Sequence, residues 1–241
     1  MHTQDGNRVG RVVGLWRYPV KSMGAEALTD VEAGWFGLDG DRRWAFVRND
    51  RPQSGFPWLT LRDRSDMRRF LPSFVDADRP NASVTEVTMP SGQTLDVTDP
   101  TLARELWPDG ARVVRYDRGV FDTFPLSLIT SQTITQLGER VGRTLDPRRF
   151  RPNLLIDAAT DEGFPEDEWV GSVVRIGSAH LRIDVRDRRC AVITIDPATL
   201  ARDRTVLRTV AQARDGCLGV YGTTVGPGRM AVGDDVFLMP G

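Results

Sequence analysis

Short strand-like segments separated by glycine and proline turns limit the fold of this chain more than any other feature. Residues 27–31, 44–47, 94–97 and 126–129 are short apolar or β-branched runs that stop at turn residues. Such runs are typical of β-strands, and many short strands with few helices favour a barrel-like arrangement. The sequence therefore predicts an α+β protein that is predominantly β, with a β-barrel-like architecture.

Helical patterns are confined to a few segments. Residues 102–107 and 205–213 each predict a short helix. A third helix follows Ser131, with Ile134 and Leu137 on one face, and Ser131 is a good N-cap residue. The exposed N–H groups at such a helix start favour an anion, although an ordinary capped helix is the commoner case.

A polar, glycine-containing connection over residues 116–125 divides the chain. We therefore expect an N-terminal domain over residues 8–118 and a second domain over residues 119–238. Within the second domain, residues 192–195 predict a further strand that Asp196-Pro197 would end.

The overall charge and hydropathy exclude some classes of function. The net charge is -1 and the isoelectric point is near 6.2, whereas a nucleic-acid binder is expected to be strongly basic. No apolar run approaches the roughly 20 residues that span a bilayer. The first twelve residues also lack the apolar centre of a signal peptide. We expect a cytoplasmic protein that binds neither nucleic acid nor membrane.

The only lysine, Lys21, is the most unusual single residue in the composition. The chain has 32 basic residues, and the other basic residues are all arginine. A lysine is a compact point charge that suits a phosphate or an anionic ring oxygen. Lys21 is therefore a candidate binding residue, although one lysine could also be placed by chance.

Cys190 is the residue best placed for chemistry, because it follows Asp187-Arg188-Arg189 between two apolar segments and should lie in a loop. Neighbouring arginines stabilise a thiolate, which is a nucleophile and a soft metal ligand. The alternative is a small buried hydrophobic residue, an interpretation that fits Cys217 better. His2 and His180 are too few for a typical zinc site, and a redox-active or persulfide-carrying thiol needs no histidine.

Several motifs, taken in order, resemble the MOSC family, whose second domain is preceded by an N-terminal MOSC β-barrel domain. Pro19-Val20-Lys21-Ser22 and Gly40-Asp41-Arg42-Arg43-Trp44 resemble the start of the N-terminal domain. Arg149-Phe150-Arg151-Pro152-Asn153, Arg189-Cys190 and Thr194-Ile195-Asp196-Pro197 resemble the MOSC domain itself. The resemblance covers about residues 8–238 and implies a β-barrel-like MOSC domain intertwined with a smaller N-terminal β-rich domain.

The family includes the mitochondrial amidoxime-reducing component and bacterial reductases of N-hydroxylated bases. The resemblance therefore implies a molybdenum cofactor (Mo-molybdopterin) and the reduction of small N-hydroxylated or N-oxide compounds; pyridoxal phosphate is not expected. Cys190 matches the cysteine that ligates molybdenum and is the catalytic residue implied. The residues that match cofactor contacts are Lys21, Ser22, Arg42, Arg62, Thr130, Ser131, Arg151, Asn153, Arg189 and Tyr221.

The chain departs from the family pattern at Thr60-Leu61-Arg62-Asp63, where relatives often carry Thr-Ala-Arg-Gln. Arg62 is retained, but its two direct neighbours in the motif differ. No ferredoxin-like cysteine cluster is present in the sequence. Electrons would then come from a separate protein, such as a ferredoxin, a cytochrome b5-like protein or a flavin reductase. The alternative is a carrier of cofactor or sulfur, with a persulfide on Cys190 and no turnover of its own.

Overall fold

The structure is a computed structural model that describes residues 6–51 and 53–240; His2 lies outside the described residues. The chain divides into two compact units, each built from segments that are discontinuous in sequence. The first unit comprises the described part of Met1–Trp16 with Ala27–Leu38 and Thr123–Gly241, and the second comprises Arg17–Glu26 and Asp39–Asp122.

Strands dominate the described residues, and helices are few. The strands are β1 (Asn7–Arg17), β2 (Glu26–Ala27), β3 (Asp30–Gly34), β4 (Gly37–Leu38), β5 (Trp44–Arg48), β6 (Leu71–Phe74), β7 (Thr85–Thr88), β8 (Thr94–Asp96), β9 (Ala111–Arg115), β10 (Leu126–Thr130), β11 (Leu154–Ala158), β12 (Val173–Ile176), β13 (Ala179–Arg188), β14 (Cys217–Gly226), β15 (Gly228–Ala231) and β16 (Asp235–Leu238). The α-helices are α1 (Pro100–Leu106), α2 (Ser131–Val141) and α3 (Arg204–Arg214), and 3₁₀ turns lie at Ser65–Arg69, Pro147–Phe150, Pro165–Trp169 and Ala191–Thr194.

A closed barrel of seven strands forms the first unit. The strand order is β11-β10-β14-β13-β12-β16-β1, and β1 closes the barrel by pairing antiparallel with β11. Side chains that alternate along these strands point inward and are fully buried, among them Leu128, Ile156, Leu181 and Val220. Closure leaves no unpaired edge between these strands. A small sheet, β15-β3-β4, belongs to the same unit.

The second unit contains the pair β5–β9 and the three-stranded sheet β6-β7-β8, together with α1. Its centre is apolar: Phe46, Leu59, Phe70 and Leu102 are fully buried. Helix α1 begins because the Asp99 carboxylate caps it by accepting from the Thr101 N–H, with Pro100 at the first helical position.

The predominantly β class with a barrel is confirmed, and the three predicted helices are present. The predicted strand over 192–195 is wrong, because Ala191–Thr194 is a 3₁₀ turn in which the Ile193 N–H donates to the Cys190 carbonyl at 3.2 Å. Its apolar residues are buried by packing beside α2 and α3 rather than by pairing in a sheet. Within the described residues, no helix combines the length and apolar character needed to cross a membrane.

Candidate functional site

Cys190 lies in a turn just beyond the end of β13, as the sequence predicted, and its backbone opens the 3₁₀ turn Ala191–Thr194. The side chain is half-buried, so that the thiol is held by the fold and still reachable. Cys217 is also half-buried, at the first residue of β14, so the prediction that it is a core residue is not borne out. Accessibility of this kind is what a thiol needs in order to bind a metal or react.

Arg189, the residue before the thiol, is held by three groups of its own unit. Its Nε donates to the Leu218 carbonyl at 2.7 Å and its Nη1 to the Phe150 carbonyl at 2.9 Å. Nη1 also lies 2.8 Å from a carboxylate oxygen of Asp187, and only 6% of the Arg189 side chain is exposed. Its Nη2 is buried without a hydrogen-bond partner in the described part of the chain. Arg189 therefore fixes the backbone before Cys190 and keeps one donor for a further acceptor.

Asp187 is a buried carboxylate that sequence reasoning did not assign. It is 1% exposed, and besides its ion pair with Arg189 it accepts a hydrogen bond from the Ser127 hydroxyl at 3.1 Å. Ser127 lies on β10, so this contact joins two strands of the barrel next to the thiol. The sequence signal was an acidic residue inside an otherwise basic run, which is also what a solvated surface strand would show.

Gly219 lies against the Arg189 side chain, where a larger residue would not fit. Its φ of +71° lies in the left-handed region, and a Cβ there would lie 2.7 Å from the Leu128 carbonyl oxygen and 3.1 Å from Arg189 Nη2. The first separation is shorter than side chains tolerate, so the close passage of β14 over this guanidinium depends on glycine.

The Arg-Phe-Arg-Pro-Asn segment folds back beside β11. Asn153 is fully buried: its Oδ1 accepts from the Ser127 N–H at 3.1 Å and its Nδ2 donates to the Trp16 carbonyl at 3.2 Å. Arg149 is 2% exposed and its Nη2 lies 2.6 Å from Asp196; burial lowers the pKa of its guanidinium, and Asp196 opposes that shift. Asn153 and Arg149 thus hold the segment that presents Arg151.

Left-handed backbone marks several of the predicted site residues. In the described chain, six residues other than glycine have positive φ, and Ser22, Arg42 and Arg151 are three of them. Such conformations are uncommon for residues with a Cβ and cluster at functional sites, where the surrounding structure enforces them. This backbone signal is not readable from the sequence.

The start of α2 differs from the prediction, because Thr130 rather than Ser131 is the N-cap. The Thr130 hydroxyl donates to a Glu166 carboxylate oxygen at 2.7 Å, and the Thr133 hydroxyl donates to the same oxygen at 2.7 Å. Glu166 is fully buried, and burial raises its pKa despite these hydrogen bonds. The acceptor beside this helix start is therefore a carboxyl group of the chain itself, while Ser131 is partly exposed.

Tyr221 lies on β14 opposite Ser127 of β10. Its ring centroid is 5.9 Å from that of Phe124, with the planes tilted by 30°. Tyr221 lies three residues after Leu218, whose carbonyl accepts from Arg189, on the same strand.

In the second unit, Lys21 is nearly buried, at 5% exposure, and its ammonium donates to Asp122 Oδ1 at 2.5 Å and to the Val120 carbonyl at 3.2 Å. Arg42 forms an ion pair with the buried Asp41, and its guanidinium carbon lies 4.7 Å from the centroid of the Tyr18 ring. Ser22, next to Lys21, is buried.

Arg62 is exposed and lies 5.3 Å from the centroid of the Phe56 ring, which is 5.8 Å from Lys21 Nζ. Burial raises the pKa of Asp122, but Lys21, Arg42 and Arg62 lower it by more, so the pKa falls below its ordinary value. The second unit therefore brings three of the predicted cations to one carboxylate that sequence reasoning did not assign.

Within each unit, the structure brings some of the predicted site residues together and leaves others apart. Arg189 adjoins Cys190, and Asn153 connects with the same network through Ser127. Thr130 is drawn instead to Glu166. Across residues 6–51 and 53–240, no group of three or more His, Cys, Asp or Glu side chains is arranged to hold a metal ion.

Comparison with known families gives two matches that together cover most of the chain. The MOSC domain model matches residues 115–237, and the model of the MOSC N-terminal beta barrel domain matches residues 9–111. The first match alone covers about half of the chain.

Three curated relatives indicate the range of the similarity. Mitochondrial amidoxime reducing component 2 of Rattus norvegicus is 26% identical over 56% of this chain, and the match spans 43% of that protein. Its Homo sapiens counterpart is 22% identical over 96% of this chain and 84% of its own length. Molybdenum cofactor sulfurase of Drosophila grimshawi is 28% identical over 85% of this chain, but over only 31% of the sulfurase.

Among solved structures, the YUAD protein of Bacillus subtilis matches 95% of this chain and 94% of its own, at 12% identity and a TM-score of 0.47. YiiM from Geobacillus stearothermophilus matches 48% of this chain and 54% of its own, at 19% identity and a TM-score of 0.39.

Proposed function

The chain belongs to the MOSC domain family, and we propose that it binds the molybdenum cofactor through the thiolate of Cys190 and reduces small N-hydroxylated or N-oxide compounds. The observation that carries this proposal is the half-buried thiol of Cys190 beside a buried arginine with one unused donor. The names of the relatives, amidoxime reducing component and molybdenum cofactor sulfurase, support the same cofactor.

The donor set fits a cofactor that is both soft at its metal and anionic elsewhere. A thiolate is the protein ligand that soft metals prefer. Arg189 Nη2 lacks an acceptor within the described chain, and a buried arginine donor gains most from a charged acceptor.

The remaining residues divide by what their side chains contact. Arg151, in its left-handed conformation, and the partly exposed Ser131 and Tyr221 are proposed to contact the cofactor. Asn153 is proposed to act by positioning, because its amide is buried between two backbone groups. Thr130 holds the helix start against Glu166.

Lys21, Ser22, Arg42 and Arg62 of the second unit are also proposed as cofactor contacts, since each matches the family motif. Lys21 carries a buried ammonium, and Ser22 and Arg42 have the left-handed backbone described above. Buried or oriented cations of this kind bind phosphate well.

When bound, the molybdenum cofactor supplies two-electron reduction with removal of the substrate oxygen, and the electrons are proposed to come from a separate redox protein. The protein's own contribution is orientation and charge. Cys190 would hold the metal, Arg189 and Asp187 set the backbone of Cys190, and the rings of Tyr221 and Phe124 lie against each other beside β14.

A second candidate function is that of a carrier that delivers cofactor or sulfur through a persulfide on Cys190. The likeness to a molybdenum cofactor sulfurase over 85% of this chain favours it. Both functions use the Cys190 thiol, so they differ in what this thiol carries. Mass spectrometry of the isolated protein detects a persulfide on Cys190 and thereby separates the two functions. A persulfide on Cys190 without molybdenum favours the carrier.

The test is elemental analysis of protein made in a host that synthesises the cofactor, paired with a reductase assay on a panel of N-hydroxylated compounds. We expect stoichiometric molybdenum and turnover in the wild type, loss of activity in Cys190→Ala, and retention in Cys217→Ala. Cys217 is the matched control because it is the other half-buried thiol of the described chain. Unchanged turnover in cofactor-loaded Cys190→Ala refutes the role of this thiol.

A further inference from the structure

Asp122 is the carboxylate on which Lys21, Arg42 and Arg62 of the second unit act together. The Lys21 ammonium lies 2.5 Å from its Oδ1, and half of the Asp122 side chain is exposed while only 6% of the Lys21 side chain is. Because a buried ammonium needs a counterion, Asp122 satisfies it from the solvent side.

The other two cations of this group, Arg42 and Arg62, have different surroundings. Arg42 pairs with Asp41, whereas the exposed Arg62 is placed over the ring of Phe56. Burial raises the pKa of Asp122, and Lys21, Arg42 and Arg62 together outweigh burial and lower it. A single carboxylate thus occupies a position where a more highly charged anion would be bound more strongly.

The backbone around Asp122 allows this carboxylate to leave. Val120 is anchored, because its N–H donates to the Arg42 carbonyl at 2.8 Å and its carbonyl accepts from Lys21. Asp122, two residues later, lies in a bend outside any helix or strand. A swing of its side chain toward solvent would leave Lys21 on the Val120 carbonyl and would release to a ligand the N–H donor that Asp122 now holds.

From this arrangement we infer that Asp122 is a resident competitor for the anion site of Lys21, Arg42 and Arg62, and that it sets the affinity of this site for a phosphate group. Asp122 gives way when the phosphate binds, so that the buried ammonium is paired in both states. The identity of the natural anion, the phosphate of molybdopterin, rests on the proposed function; the competition itself does not.

The expected change in phosphate affinity follows from the fraction of molecules in which Asp122 has left Lys21. Apparent affinity falls by the fraction of molecules in the competent state. An ion pair of moderate strength shifts that equilibrium by a factor of about 5–30. Asp122→Asn should therefore bind inorganic phosphate about 5–30-fold more tightly than the wild type.

The lone lysine provides a clean probe for this test. Because Lys21 is the only lysine, protein labelled with ¹³C-lysine gives one Cε signal, which can be followed while inorganic phosphate is added to the cofactor-free full chain. Asp117→Asn is the matched control, because it removes one negative charge from the same connection. The Asp117 Oδ1 lies 3.6 Å from Arg115 Nη2, and 88% of the Asp117 side chain is exposed.

We expect tighter phosphate binding in Asp122→Asn and wild-type binding in Asp117→Asn. Equal affinity in Asp122→Asn and wild type overturns the inference, as does an equal gain in Asp117→Asn, which would indicate a general charge effect. A Lys21 signal that phosphate moves in neither protein overturns it as well. Because no molybdenum is involved, a failure of the proposed reductase function leaves this result unaffected and is detected separately by elemental analysis.

Discussion

The ion pair between Asp187 and Arg189 is the contact whose loss should be most costly near Cys190. Asp187 is 1% exposed and Arg189 6%, and the two charges lie 2.8 Å apart. Asp187→Asn keeps the size and can still accept from Ser127, but it leaves the arginine charge buried without its carboxylate. Breaking a buried pair in this way costs about 3–5 kcal/mol. Two carbonyls still accept from Arg189, so we expect about 3 kcal/mol, the lower end of that range.

Urea unfolding of the cofactor-free protein, followed by far-ultraviolet circular dichroism, measures this loss. With a denaturant slope of about 1–3 kcal/mol/M, the midpoint should fall by about 1 M or more. Asp184→Asn is the control, because Asp184 lies on the same strand and pairs at 2.6 Å with Arg182, which is 52% exposed. Such a pair contributes about 0–1 kcal/mol. If Asp187→Asn costs no more than Asp184→Asn, the buried pair does not stabilise this end of the barrel.

Three further predictions concern the same unit. Gly219→Ala should cost about 1–3 kcal/mol, because it combines a left-handed φ with a Cβ 2.7 Å from a backbone oxygen, and it should lower molybdenum retention; unfolding at the wild-type midpoint with full metal content would contradict this. Asn153→Ala should destabilise by about 2–4 kcal/mol by leaving two buried backbone groups unpaired, and an unfolding midpoint within error of the wild type would contradict that. The pKa of Glu166 is raised by burial above its ordinary 4.5, so its favourable contribution is complete below that pH and is lost as the pH rises through the folded-state pKa. Wild-type stability should therefore fall relative to Glu166→Gln as the pH is raised from 4.5 toward neutrality, and a difference in unfolding free energy that is flat or grows the other way would refute the assignment.

The β-rich class was predictable because it rests on local patterns. Strand length and turn residues repeat along the whole chain, and the barrel needs only that such strands close on one another. The error over residues 192–195 has a local cause. Four β-branched residues, three of them apolar, fit a strand or a buried turn equally well, and only the packing of Ile193 beside α2 and α3 decides between them.

The sequence indicates candidate site residues where a residue type stands in a recognisable motif. Cys190 and Lys21 stood out in the sequence, whereas their partners did not. Lys21 and Asp122 are separated by 101 positions, and Ser127 and Asp187 by 60, so that only the folded chain shows that they meet. The left-handed backbone of Arg42 and the capture of Thr130 by Glu166 are likewise products of tertiary structure.

Ligation of molybdenum by Cys190 can be measured directly. X-ray absorption at the molybdenum K-edge, on protein loaded in a cofactor-competent host, measures the sulfur ligands directly. One sulfur scatterer should be lost in Cys190→Ser and retained in Cys217→Ser. Spectra of Cys190→Ser and wild type that show the same sulfur coordination would contradict the account.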